Sequence, residues 1–162
     1  MPEENQLEVL CRVLRGKVAI IGIGNEMRGD DAVGCYVARC LEGVEDMLVV
    51  EAGDVPENYV GLLREYKPEC VVFIDAVDVG AEPGSIVIAS ADELPSSAVV
   101  STHGMPLKLL SDYLLREVGA RVMLIGIQVR GTALNAPISK EVCEAAEAIA
   151  KLIRSARLAM RA

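Results

Sequence analysis

Tryptophan is absent from this chain, phenylalanine occurs once and tyrosine four times. With aromatics at 3%, the core must be built from Val, Ile, Leu, Ala and Met. A surface that stacks bases or sugar rings on aromatic faces is not expected. Basic residues are also short: 16 Lys and Arg face 24 Asp and Glu, for a net charge of −8. No Lys/Arg run offsets that balance, so nucleic acid is not an expected partner, and the acidity is read as a solubility feature. No run of 18 apolar residues occurs, so no transmembrane helix is expected. The opening residues, MPEENQLEVLCRVLRG, carry acids and lack a continuous apolar stretch, unlike a secretory signal. The expected location is the cytoplasm. C-x-x-C pairs are missing as well. The five cysteines, Cys11, Cys35, Cys40, Cys70 and Cys143, are odd in number and are read as reduced, small hydrophobes of the core.

What the chain does have is apolar residues in quantity, 52% of 162 positions, with 25% charged. That mixture excludes disorder and is enough for a core of ordinary size. No internal repeat, low-complexity segment or linker divides it, so residues 1–162 are expected to form a single domain, with 1–15 as a helical extension. Leu7, Leu10, Cys11 and Leu14 fall at helical spacing within 5–14. KVAIIGIG (17–24) reads as a strand apolar on both faces, as in a parallel sheet covered by helices on each side. A helix over 31–42 follows, with Val33, Tyr36, Val37, Cys40 and Leu41 on one face and Gly43 as its stop. Further strands are expected at 47–53, 70–77, 84–90 and 121–128, and helices at 57–66, 104–118 and 139–158. The strand at 84–90 follows its predecessor after a short turn, which suits an antiparallel edge position. The alternation β-α-β-α-β-β-α-β-α predicts an α/β fold: a three-layer α/β/α sandwich around a mostly parallel sheet of about five strands.

In such sheets, sites collect beyond the carboxyl ends of the strands. The loops to watch are 24–31, 52–56, 75–84 and 128–137, joined by 96–106 if it folds back to that edge. The first carries GIGNEMRGDDAVG. A dinucleotide fingerprint needs a third glycine where Met27 stands, and two acids at a helix start repel a pyrophosphate. On residue chemistry alone, Asp30 caps the following helix and Asp31 favours the positive end of its dipole. Asp75 ends the apolar strand VVFIDAV, where a buried charge costs several kcal/mol, roughly, unless paired or metal-bound. Asp78 is read as solvated. His103 is the only histidine, and Ser101, Thr102, Gly104 and Pro106 around it place the imidazole at a helix entrance. Two carboxylates and one imidazole from three separate loops suit a borderline divalent ion such as nickel or zinc. Serine and cysteine nucleophiles fit poorly: there is no Gly-x-Ser-x-Gly, and no cysteine falls in a predicted site loop.

Five stretches together, GIGNEMRGDDAVG, EAGDVPEN, VVFIDAVDVGAEPG, STHGMPL and LIGIQ, resemble the hydrogenase maturation endopeptidases. The resemblance is nearest to the subgroup that processes formate-hydrogenlyase-type (hydrogenase 3) [NiFe]-hydrogenase large subunits, and it runs over about residues 17–155. It implies a single α/β sandwich and an endopeptidase that removes a C-terminal peptide from a nickel-loaded large-subunit precursor. It also implies a metal-contacting trio, which by motif falls on Asp31, Asp75 and His103, leaving Asp30 as the cap. The nickel is implied to arrive inside the substrate. Two positions depart from the pattern: Ala32 replaces a glycine of many relatives, and Glu51-Ala52-Gly53 replaces a more glycine-rich segment linked to substrate recognition. Two chemistries stay open at this point. Either the substrate's nickel, held by the trio, polarises the scissile carbonyl or activates water, with Asp31 and Asp75 as the catalytic acids. Or the metal only docks the precursor and a carboxylate acts as general base. A nickel-binding chaperone or docking module that cuts nothing would use the same ligands.

Overall fold

A computed structural model describes residues 5–90, Glu93 and 106–160, apart from the Gln6 side chain. The order of elements is α1 (Gln6–Val13), β1 (Val18–Ile23), α2 (Val33–Cys40), β2 (Met47–Gly53), α3 (Val60–Tyr66), β3 (Cys70–Val77), β4 (Ile86–Ser90), α4 (Leu107–Glu117), β5 (Arg121–Gln128) and α5 (Lys140–Met160). The five strands form one sheet in the order β2-β1-β3-β5-β4. The pairs β1–β2, β1–β3 and β3–β5 are parallel, and β4 lies antiparallel to β5 at the edge. The α/β class, the five strands and the antiparallel edge all match the sequence expectation.

Strand β3 shows why the sequence folds this way. All eight of its residues are buried, so both faces must be covered. Alternation sorts them. Cys70, Val72, Ile74 and Ala76 join the apolar cluster formed with α1, α2 and α5. Val71, Phe73 and Val77 join the cluster under α3 and α4. The single phenylalanine of the chain, Phe73, is thus spent at the centre of the second layer, 1% exposed. On the first face, Val33, Val37 and Leu41 of the α2 segment are buried as their spacing predicts, with Tyr36 and Cys40 packed partly buried beside them. Helix α1 starts at Asn5, whose side chain accepts the Leu7 amide hydrogen at 3.0 Å, and buries Leu10 and Leu14 against α5. Gly43 ends the α2 segment in the left-handed region at φ 81°.

The helix expected over 31–42 begins differently. Residues Gly29–Ala32 form a 3-10 turn, and the α-helix proper begins at Val33. Likewise Pro56–Tyr59 is a 3-10 turn that leads into α3. No helix among the described residues is long and apolar enough to cross a membrane.

Candidate functional site

Strand order places the site. From β1 the chain passes to β2 on one side, then crosses back to β3 on the other side of β1. The connections therefore diverge above the carboxyl ends of β1 and β3, the crevice where ligands of open α/β sheets settle. Asp75 stands one residue beyond Ile74 in β3, fully buried, on the same face as Phe73 and Val77. Its Oδ1 accepts the Ala76 amide hydrogen at 2.8 Å. Its register partner on β5 is Gly126, over which the Val77 side chain lies. Asp31 lies in the 3-10 turn that follows β1, 5% exposed. That turn packs against β3, so both acids are brought to the same end of the sheet. Asp31 Oδ2 accepts the Asn25 amide hydrogen at 3.3 Å.

Two glycines make this close approach possible. A Cβ at Gly34, one helical turn after Asp31, would stand 2.1 Å from the Ile74 carbonyl oxygen and 2.2 Å from that of Ile23. Helix α2 therefore rests directly on the backbones of β3 and β1. Gly24, at φ +152°, faces the Asp31 carbonyl oxygen, 1.8 Å from where a Cβ would be. A side chain at either position would push the Asp31 turn off the strand ends.

Asp30 departs from its expected role. Neither the 3-10 turn nor α2 receives a side-chain cap. Instead the Asp30 carboxylate, 1% exposed, turns away towards the loop that follows β5. Oδ2 accepts from the Arg130 amide at 2.8 Å, the Gly131 amide at 3.1 Å and the Ser139 hydroxyl at 2.9 Å. Oδ1 accepts from the Ser139 amide at 2.6 Å. The acid thus caps the entrance of α5, a helix remote in sequence.

Beside the crevice lies a groove of about 490 Å³, whose walls include Gly24, Asn25, Cys35, Glu51, Gly53 and Tyr59. It opens where the β1–β2 register slips, Gly22 pairing with Glu51 but Ile23 with Gly53. That irregularity bends the end of β2 locally, while the Gly24 amide still donates to the Gly53 carbonyl at 2.8 Å. On its rim Arg39 bridges Glu26 and Glu51, and its hydrogen bond holds the Glu51 carboxyl below the usual carboxylate range. Cys35, read from sequence as lying outside every site loop, lines this groove from α2. Its thiol approaches the Gly22 and Gly24 carbonyl oxygens at 3.7 and 3.6 Å. Burial first, then the negative charges of Glu51, Glu26 and Asp75, push it up to about 11 against the lowering effect of a Gly53 backbone hydrogen bond. It is a neutral thiol at neutral pH, and poor as a nucleophile or a metal ligand.

Gln128, the last residue of LIGIQ, is a second residue to which sequence reading gave no role. It ends β5, 4% exposed. Its Oε1 accepts from the Val79 and Ala81 amides at 2.8 and 3.4 Å, and its Nε2 donates to Asp78 Oδ1 at 3.1 Å. One amide side chain thereby shapes the loop after Asp75, and Asp78 has a protein partner rather than only solvent. An uncharged acceptor-and-donor at a strand end was the available signal. His103 lies outside the described residues, as does most of the 96–106 segment. Among the described residues no cluster of three or more His, Cys, Asp or Glu could hold a metal ion. All five cysteines are free, as expected.

Comparison with known proteins adds the following. The family profile described as hydrogenase maturation protease (HycI) matches residues 33–156. Hydrogenase 3 maturation protease of Escherichia coli is 32% identical over 132 residues, 80% of this chain and 84% of that protein. Among solved structures, a [NiFe] hydrogenase maturation protease HycI from Thermococcus kodakarensis KOD1 superposes with a TM-score of 0.82 at 40% identity, covering 91% of this chain and 97% of the other. The solution structure of an endopeptidase HycI from Escherichia coli gives a TM-score of 0.76 at 29% identity, covering 86% and 90%.

Proposed function

The chain belongs to the hydrogenase maturation protease family, and on that premise we propose how its crevice serves as the active site of an endopeptidase. The substrate is the precursor of a hydrogenase large subunit, of the [NiFe] class, from which a C-terminal peptide is cut. Asp31, Asp75 and His103 engage the nickel that the precursor already carries. The observation that supports this most is the convergence of two buried carboxylates, from two different strand ends, on the reversal point of the sheet. Two acidic side chains at one strand-end crevice supply oxygen donors suited to a positively charged visitor. A pair of carboxylates joined by an imidazole is a donor set suited to a borderline divalent ion.

In this reading the nickel is part of the substrate. The trio recognises it and so aligns the scissile bond, and a precursor without metal offers nothing to grip. The neighbouring groove, open at the slipped β1–β2 register, receives the peptide that runs on from the metal centre. The test is a digest of purified precursor, with and without nickel, followed by intact-mass spectrometry. A shortened C-terminus only in the nickel-loaded sample is the expected result. An intact precursor in both samples would leave a binder that does not cut. His103→Ala, Asp31→Asn and Asp75→Asn should each reduce cleavage by a factor on the order of 10² or more. Wild-type rates for His103→Ala would remove the imidazole from the site.

A further inference from the structure

We propose that Asp30 is a positioning residue: it fixes the neighbouring Asp31 by tying the turn after β1 to the loop after β5. The inference rests on the active-site reading above, but its geometric part stands without it. The carboxylate receives four hydrogen bonds, from Arg130, Gly131 and twice from Ser139, all from a segment a hundred residues away in the chain. The same turn returns the contact through its backbone. The Asp30 amide donates to the Gly131 carbonyl at 3.0 Å, and the Asn135 amide to that of Met27 at 2.7 Å. On the other side of the turn, Asn25 donates to Asp31 and Gly24 abuts its carbonyl. Asp31 is therefore held between two clamps, and Asp30 is the side chain of one of them.

A carboxylate that only capped α5 could sit anywhere in the fold. Here it is covalently adjacent to the candidate ligand, in the same buried four-residue turn, Gly29–Ala32. Charge alone does not account for the arrangement either. All four donors are neutral groups aimed at both oxygens, which an amide side chain cannot reproduce: its NH2 would face an N–H or O–H whichever way it is turned.

Asp30→Asn, in the full-length protein, is expected to lower kcat for precursor cleavage on the order of 10²-fold and to weaken precursor binding as well, because a misplaced Asp31 neither grips nor aligns the nickel. Ser139→Ala removes a single donor and should lower kcat several-fold. The discriminating readout is a double-mutant cycle. If Asp30 acts through Asp31, adding Asp30→Asn to Asp31→Asn costs almost nothing further, whereas a general structural role gives additive losses. Additive losses, or wild-type kcat in both single variants, would overturn the inference. Should Asp30→Asn fail to fold, the same cycle run with Ser139→Ala decides the question. Should wild-type protein leave the precursor uncut, the functional reading fails and amide exchange still tests the clamp. Ser139→Ala must then speed exchange at the Asn25 and Asp31 amides, and unchanged protection there would refute it.

Discussion

Gly34→Ala is a sharp test of how α2 is seated. The substitution adds one methyl group inside a helix, where alanine is favoured over glycine by about 1 kcal/mol. Against this, the new Cβ would stand 2.1 Å from the Ile74 oxygen, 2.2 Å from the Ile23 oxygen and 2.8 Å from the Ile23 nitrogen. All three are backbone atoms of adjacent strands, so no side chain can swing aside. Restoring an ordinary separation of about 3.5 Å means lifting the helix by roughly 1.4 Å. Overpacking of this kind costs about 1–3 kcal/mol, and rigid neighbours place it at the upper end. The net expectation is a loss of about 2 kcal/mol, or roughly 4–8 °C in Tm for a chain of this size. Gly61 provides the control: it is also inside a helix, α3, and nothing lies within 4 Å of its would-be Cβ. Gly61→Ala should therefore gain up to about 1 kcal/mol. Urea unfolding followed by far-ultraviolet circular dichroism measures both, since the chain has no tryptophan to report by fluorescence. Because the lift also moves the Gly29–Ala32 turn, precursor cleavage should fall in Gly34→Ala at temperatures where it remains folded. Equal stability of Gly34→Ala and wild type, with an unchanged m-value, would refute this account of the helix–strand contact.

Phe73→Ala should destabilise by about 3–5 kcal/mol, because it empties the largest buried site of the second core layer; the same unfolding assay reads it. The Cys35 thiol binds its proton more tightly in the folded chain, near pH 11, than the ordinary value of 9.0. The stability this gives is complete below pH 9.0 and is lost as pH rises through about 11. Cys35→Ala should flatten that alkaline decline, seen by comparing denaturant midpoints at mildly and strongly alkaline pH. At neutral pH, Cys35 should also react with thiol reagents far more slowly than the half-buried Cys11, Cys40 and Cys143.

Local pattern carried most of the architecture. An eight-residue apolar run such as β3 has one low-energy solution, burial on both faces. Asp75 stood out for the same reason: a charge at the end of such a run is out of keeping with it. The antiparallel edge strand was legible from the short connection before it, although its pairing with β5 rather than β3 was not, because nothing in residues 86–90 encodes a distant partner. The Asp30-Asp31 pair shows the limit more clearly. A helix start with two acids reads as a cap and a dipole contact, since those are the partners within reach along the chain. The actual partners of Asp30 are Arg130, Gly131 and Ser139, and only folding brings them near. Gly34 was hidden likewise. Inside a helix it looks like a mere weak point, yet it is the contact surface between α2 and the sheet. Cys35 was set aside as a core thiol because it sits in a helix, and the slipped strand register that opens a groove beside it is not visible in one dimension.

The bond from Asp30 to the entrance of α5 has a consequence for the timing of synthesis. The ribosome delivers the aspartates long before it delivers Ser139, and α5 must clear the exit tunnel before it can cover α1 and α2. A nascent chain therefore carries its acids unset until α5 docks. The turn is set only after residue 139 has been made, and a chain cut short before it would carry Asp30 and Asp31 without the framework that holds them.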